Sequence, residues 1–227
     1  MRPNAVALRF PAPAARVQTR AEEMANAASH ALACALPVAA WPLLAATVSR
    51  TQGARGVAAV AVFCATMVLA FLASAVCHAL PPGRAKLWAR AVDHAAIYLF
   101  IAGSATPFTL GAMPGWAGLA TCALLWALAL AGAALKLMRR LTQRRLSTGL
   151  YLLLGWCALL AALPGVIALD PAALGWLLAG GLAYLVGTGF FVFDGSLRFG
   201  HFIWHLFVMA GSGCHLAAAM APALAAG

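Results

Sequence analysis

Long apolar runs, separated by short stretches rich in arginine, glycine and proline, divide this chain along almost its whole length. A helix that crosses a bilayer needs about 20 mainly apolar residues. Seven runs are close to that length: 24–48, 56–79, 92–110, 116–137, 148–169, 172–193 and 201–220. The pattern predicts an all-α membrane protein, a bundle of seven transmembrane helices. Pro81-Pro82-Gly83 closes the second run, Pro114-Gly115 forms a tight turn after the third, and Asp170-Pro171 separates the fifth from the sixth. Pro37, Pro42, Pro107 and Pro164 fall inside runs and predict kinks. Gly180, Gly181, Gly187 and Gly189 in the sixth run, with Gly211 and Gly213 in the seventh, predict close helix approach. The expected organisation is a flexible basic cytoplasmic tail (1–21), one seven-helix domain (22–222) and a short outer tail (223–227).

Composition sharpens this reading. At 64% hydrophobic residues, 9% charged residues and a mean hydropathy of +0.92, an ordinary water-soluble domain is excluded. The net charge of +10 would suggest nucleic acid in a soluble chain. Here the basic residues lie between the apolar runs, so they are read as orienting the bundle, and no nucleic-acid partner is expected. With the N-terminus inside, thirteen Lys and Arg fall on the inner side, and only Arg50 and Arg55 on the outer. That bias predicts a cytoplasmic N-terminus and an outer C-terminus. Arg2, Arg9, Arg16 and Arg20 interrupt the first twenty residues, which lack the unbroken apolar stretch of a secretory signal. All six cysteines sit within apolar runs without a CxxC pair, and are read as buried, inert thiols.

The polar residues within the runs are few and share a depth. His201 and His205 are four residues apart at the inner start of the seventh run, which places them on one helical face. Ser74 and His78 repeat that spacing at the inner end of the second run, and Asp93 and His94 open the third. Glu23, Asn26 and His30 follow one face at the inner end of the first. Only His215 lies clearly deeper, about 15 Å along the helix from His205.

A metal site accounts for this layer most economically. Three neutral imidazoles, from His78, His201 and His205, match the ligand count of catalytic zinc, with a fourth position open to water. Such water is acidified to a pKa of around 7 in comparable sites. Asp93 is the candidate to orient that water or take its proton, and Ser74 to hydrogen-bond to it or to a developing oxyanion. Glu23, Asn26, His30 and His94 are candidates to support the ligands from behind. For the first three an alternative stands: Glu23 caps the first helix, and Asn26 and His30 bond to neighbouring helices. The absence of a thiolate ligand favours zinc and leaves iron, manganese and other divalent ions open.

Three stretches together, EEMANAASH (22–30), SAVCHALPPGRAKLWARAVDHAAIYLFIAGSATPF (74–108) and HFIWHLFVMAGSGCH (201–215), resemble the haemolysin III family. This is the bacterial branch of the progestin and adiponectin Q receptor superfamily. The resemblance implies seven helices with an inward N-terminus and a zinc ion near the cytoplasmic face. It assigns that ion to His78, His201 and His205, with Asp93 as the acidic residue meeting the water and Ser74 as the motif serine. It also implies a bacterial cytoplasmic membrane and, by analogy with ceramidase-like activity in the superfamily, hydrolysis of a lipid amide or ester drawn from the bilayer. The alternative is a non-catalytic, receptor-like regulator with a structural zinc. The family's name also raises a cytolytic pore, against which the scarcity of polar residues within the runs argues.

Overall fold

The computed structural model describes residues 16–113, 115–167 and 171–221. The expected tail up to residue 15, Pro114 of the Pro-Gly turn, Asp170 and residues 222–227 lie outside the described residues. Regular structure among the described residues is entirely helical: α1 (Arg20–Ala33), α2 (Ala35–Ala79), α3 (Arg84–Pro107), a π-helical turn (Phe108–Ala112), α4 (Gly115–Leu137), α5 (Arg144–Ile167), α6 (Pro171–Phe193) and α7 (Gly200–Met220). Among the described residues, five stretches are long and apolar enough to cross a bilayer: Arg20–Arg50, Gln52–Ala79, Gly115–Leu137, Pro171–Phe193 and Gly200–Met220. Large apolar side chains such as Leu124, Leu128, Leu160, Leu178 and Leu182 are exposed along α4, α5 and α6. Such surfaces would aggregate in water but match lipid chains. This is an all-α membrane protein.

The helices depart from the apolar runs where backbone chemistry intervenes. The first run is not one helix, because α1 ends at Ala33 and α2 begins at Ala35. Pro37, two residues on, lacks the N–H that would bond the Ala33 carbonyl, so the interruption falls where the sequence predicts a kink. The second boundary lies inside α2, at Gly53, with φ 61° and ψ −153°. That conformation is open to glycine and strained for any residue with a Cβ. Helix α3 starts at Arg84, eight residues before the third apolar run, since its first turns bury Lys86 against the Leu80 carbonyl at 3.1 Å. Its far end loosens into the π turn after Pro107, where the Thr106 and Thr109 hydroxyls bond back to the carbonyls of Ala102 and Ala105. Such back-bonding competes with the helical ladder.

Helix α7 packs chiefly on α6 and also meets α1 and α2, whereas α3 joins α2 to α4 and α5. One apolar core, built on Leu44, Phe63, Met67, Phe71 and Leu216, lies on the α2–α7 side, and a second, around Tyr98, Leu125, Ala129 and Leu154, lies between α3, α4 and α5. Three of the six glycines expected at the α6–α7 seam do close it. A Cβ on Gly187 would come 2.6 Å from Phe207, one on Gly211 2.8 Å from Tyr184, and Gly180 is pressed on His215. Gly181, Gly189 and Gly213 face open space. The seam therefore uses one face of each helix and holds the start of α7 firmly beside the end of α6.

Candidate metal centre

The site is assembled first by a helix cap. Thr19 and Glu22 form a reciprocal capping box: the Glu22 N–H donates to Thr19 Oγ1 at 3.3 Å and the Thr19 N–H to Glu22 Oε2 at 2.9 Å. A cap of this kind stabilises a helix by about 1 kcal/mol. The other Glu22 oxygen accepts the Phe199 N–H at 2.8 Å, at the entrance to α7. Phe199 has φ 57°, a left-handed conformation uncommon for a bulky residue, so this bond helps to hold a strained turn. Arg16 adds an ion pair to Glu22 and a backbone bond to Gly195 at 3.0 Å. One buried carboxylate thus sets the starts of α1 and α7 in register.

That register brings three imidazoles together. His78 ends α2, His201 and His205 open α7, and their ligand nitrogens lie within 4.8 Å of one another. His205 is 1% exposed. The ring centroids are 4.9 Å apart for His78 and His201, 5.2 Å for His78 and His205, and 4.8 Å for His201 and His205.

Hydrogen bonds determine which nitrogen of each ring is free. His78 Nδ1 donates to Glu23 Oε2 at 2.7 Å, and His201 Nδ1 donates to Asp194 Oδ2 at 2.8 Å. His205 Nδ1 lies 3.2 Å from the Asn26 carbonyl and 3.1 Å from Ser29 Oγ. Because Ser29 gives its own proton to that carbonyl at 2.9 Å, the His205 ring is the donor to both. Each of these acceptors calls for a proton on Nδ1, which leaves the three Nε2 lone pairs available. Histidine ligands are oriented in this way, with carboxylate or carbonyl acceptors behind the ring. The triad could hold a metal ion. Tetrahedral zinc with bonds of about 2.0 to 2.1 Å spaces its ligand atoms about 3.4 Å apart, so the rings would draw together on binding.

Residues 18–216 match the sequence model of the family described as Haemolysin-III related. The chain belongs to the haemolysin III family. It is 35% identical to the Hemolysin-3 homolog of Bacillus subtilis (strain 168) over 191 residues, which cover 84% of this chain and 89% of that protein. It is 36% identical to Hemolysin-3 of Bacillus cereus, again over 191 residues, covering 84% and 87% of the two chains.

Around the triad of this haemolysin III protein, the carboxylates fall differently from the sequence expectation. Glu22, rather than Glu23, caps the first helix. Glu23 instead bridges α2 and α3, giving one oxygen to His78 and the other to Lys86 Nζ at 2.9 Å. Asn26 is fully buried and reaches Gln18 Oε1 at 2.9 Å, while its carbonyl serves His205. His30 stacks on His205 with centroids 3.6 Å apart and planes 6° from parallel, which fixes the ring from one side. Asp93 lies beside the Ser74 hydroxyl, and among the described residues it forms no ion pair with the triad. His94 lies on the α5 side, where its carbonyl accepts from Tyr151 at 2.9 Å. His215 packs beside Tyr184, far along α7 from the triad.

Asp194, between α6 and α7, is the supporting residue that sequence reasoning missed. It is 7% exposed, and Arg144 holds its second oxygen at 2.7 Å. Burial pushes its carboxyl up, but the bonds from His201 and Arg144 outweigh this and keep it below its ordinary value. A signal was available in the rarity of acidic residues, of which the chain has only five. Asp194→Asn is expected to weaken metal binding about 10- to 100-fold while the helices persist, as for other residues behind metal-bound histidines. Competition with a chelating dye measures this, and unchanged affinity would refute the assigned ring orientation.

Proposed function

We propose that this haemolysin III family member is a zinc-dependent hydrolase of a lipid amide or ester, working near the cytoplasmic face of a bacterial inner membrane. The supporting observation is the convergence of three histidines, each with Nδ1 held by an acceptor and Nε2 left free. In this reading the chain crosses the membrane seven times with its N-terminus inside, α3 and α5 completing the five stretches that are plainly long and apolar enough.

His78, His201 and His205 would hold the ion, which when bound supplies a Lewis acid for the substrate carbonyl and for water. Glu23 and Asp194 hold two rings in one tautomer and raise their basicity as ligands. Lys86 and Arg144 keep those two carboxylates ionised and aimed. Asp93 takes a proton from the attacking water and returns it to the leaving group, and Ser74 orients the Asp93 carboxyl. The acyl chain of the substrate stays among apolar side chains, so only its polar head must reach the histidine layer.

The assay is fatty-acid release from lipid amides and esters by the purified protein, measured with and without a chelator. Release that requires the metal supports the hydrolase. One observation favours a non-catalytic regulator instead: the triad joins α2 to α7 beside α1, as a structural staple would. In that case chelation lowers the melting temperature, and no lipid is cleaved under any metal condition.

A further inference from the structure

A second polar feature lies on the α5 side of the bundle, apart from the triad. A cleft of about 340 Å³ opens between α3, the α4–α5 connection, α5 and the end of α6. Arg90, Lys136, Arg139 and Arg144 all line it, and none of its lining residues is acidic. Arg144 is matched by Asp194. Lys136 is not matched: it is 7% exposed, its ammonium bonds the Leu141 carbonyl at 3.0 Å, and among the described residues no carboxylate pairs with it. A buried cation without a counter-charge is costly. Basic residues that merely orient a membrane protein can stay solvated at its surface, and Lys136 does not.

Two further observations point into the same cleft. Arg139 follows α4 with φ 56°, at a helix end where glycine is the usual occupant of the left-handed conformation. The strained backbone carries a guanidinium to the cleft rim. Ser147, 3% exposed, adds a buried hydroxyl to the cleft wall beside Tyr151. The walls are apolar as well as basic, with Leu87, Ala91 and Phe191 beside the cations. Guanidinium forks suit phosphate oxygens, and basic pockets between helices at a membrane face accept phosphate-bearing headgroups.

We propose that this cleft, with its buried and unpaired Lys136, binds a phosphate group, presented either by an anionic lipid headgroup or as a free anion. Lys136 and Arg139 meet the phosphate oxygens, Arg90 closes the rim, and the apolar walls receive the start of an acyl chain when the ligand is a lipid. The site does not depend on the metal, so it stands or falls separately from the hydrolase reading.

The test uses the full-length protein in nanodiscs of phosphatidylcholine alone or mixed with phosphatidylglycerol, with inorganic phosphate as a separate addition. The readouts are the melting temperature and lipid retained in native mass spectrometry. Phosphatidylglycerol is expected to raise the melting temperature and to remain bound, and Lys136→Gln and Arg139→Asn are expected to lose most of both effects. Asparagine tolerates the left-handed backbone at residue 139, so that variant carries the test if Lys136→Gln folds poorly. Arg84→Gln, outside the cleft, is the control for general surface charge. Stabilisation by inorganic phosphate alone, lost in the same variants, would assign the site to the free anion. Stabilisation by neither, or equal losses in Arg84→Gln and the cleft variants, would overturn the proposal.

Discussion

Replacing His201 and His205 together by alanine is expected to abolish metal binding, from about one ion per chain in the wild type to none. Two of the three free Nε2 atoms leave with the side chains, and a single remaining imidazole on α2 cannot hold a divalent ion against water. Elemental analysis of the detergent-purified proteins reads the outcome directly. Loss of ligands is separable from loss of fold, because the Glu22 bond that positions the start of α7 runs to the Phe199 backbone and touches neither substituted side chain. The variant should therefore keep its helical circular dichroism. A well-folded wild type that takes up no metal when zinc is supplied would refute the metal centre and leave a hydrogen-bonded histidine layer in its place.

Much of this was legible in the chain, for reasons that can be traced to particular residues. The four-residue spacings of His201 with His205 and of Ser74 with His78 survive folding, because each pair lies within an uninterrupted helical stretch, the latter well past the break at Gly53. Spacing carries no such information across a break. Asp194 precedes His201 by seven residues, which on a continuous helix would place it on the same face. The chain instead leaves α6 and enters α7 through the left-handed Phe199, so periodicity gave no reason to select it. The roles of Glu22 and Glu23 turned on one residue of register. The Thr19-x-x-Glu22 pattern of a capping box was present, and it would have released Glu23 from the cap. The boundary at Gly53 was legible in hydropathy, since it falls in the polar stretch 49–55 between the first two apolar runs, although the helix runs on to either side of it.

The same layer shows how few acidic groups a membrane protein needs to organise a site. Glu22 joins two helix starts, Glu23 joins α1 to α2 and α3, and Asp194 joins α7 to α5 through Arg144. Each carboxylate has both oxygens engaged, and each makes at least one contact between elements that apolar packing alone would leave free to slide. In a medium that offers no water to unpaired charges, such bridges fix depth and rotation together.

Asp93→Asn is expected to lower lipid amide or ester turnover about 10²- to 10⁴-fold, the usual contribution of a general base, with metal content unchanged. The choice of Asp93 follows from what the other carboxylates are already doing. Glu23 gives its oxygens to His78 and Lys86, and Asp194 gives its oxygens to His201 and Arg144, so neither has a free oxygen for an incoming proton. Among the described residues Asp93 forms no ion pair, and the Ser74 hydroxyl beside it can stay in place as the carboxyl gains and loses a proton. Asparagine keeps the size and a hydrogen-bonding partner for Ser74 while removing the basic oxygen. Single-turnover release of fatty acid by the metal-loaded variant separates this step from substrate entry. Turnover that survives at the wild-type rate would remove Asp93 from the reaction and shift the search for a base to a carboxylate that gives up one of its bridging contacts when substrate binds.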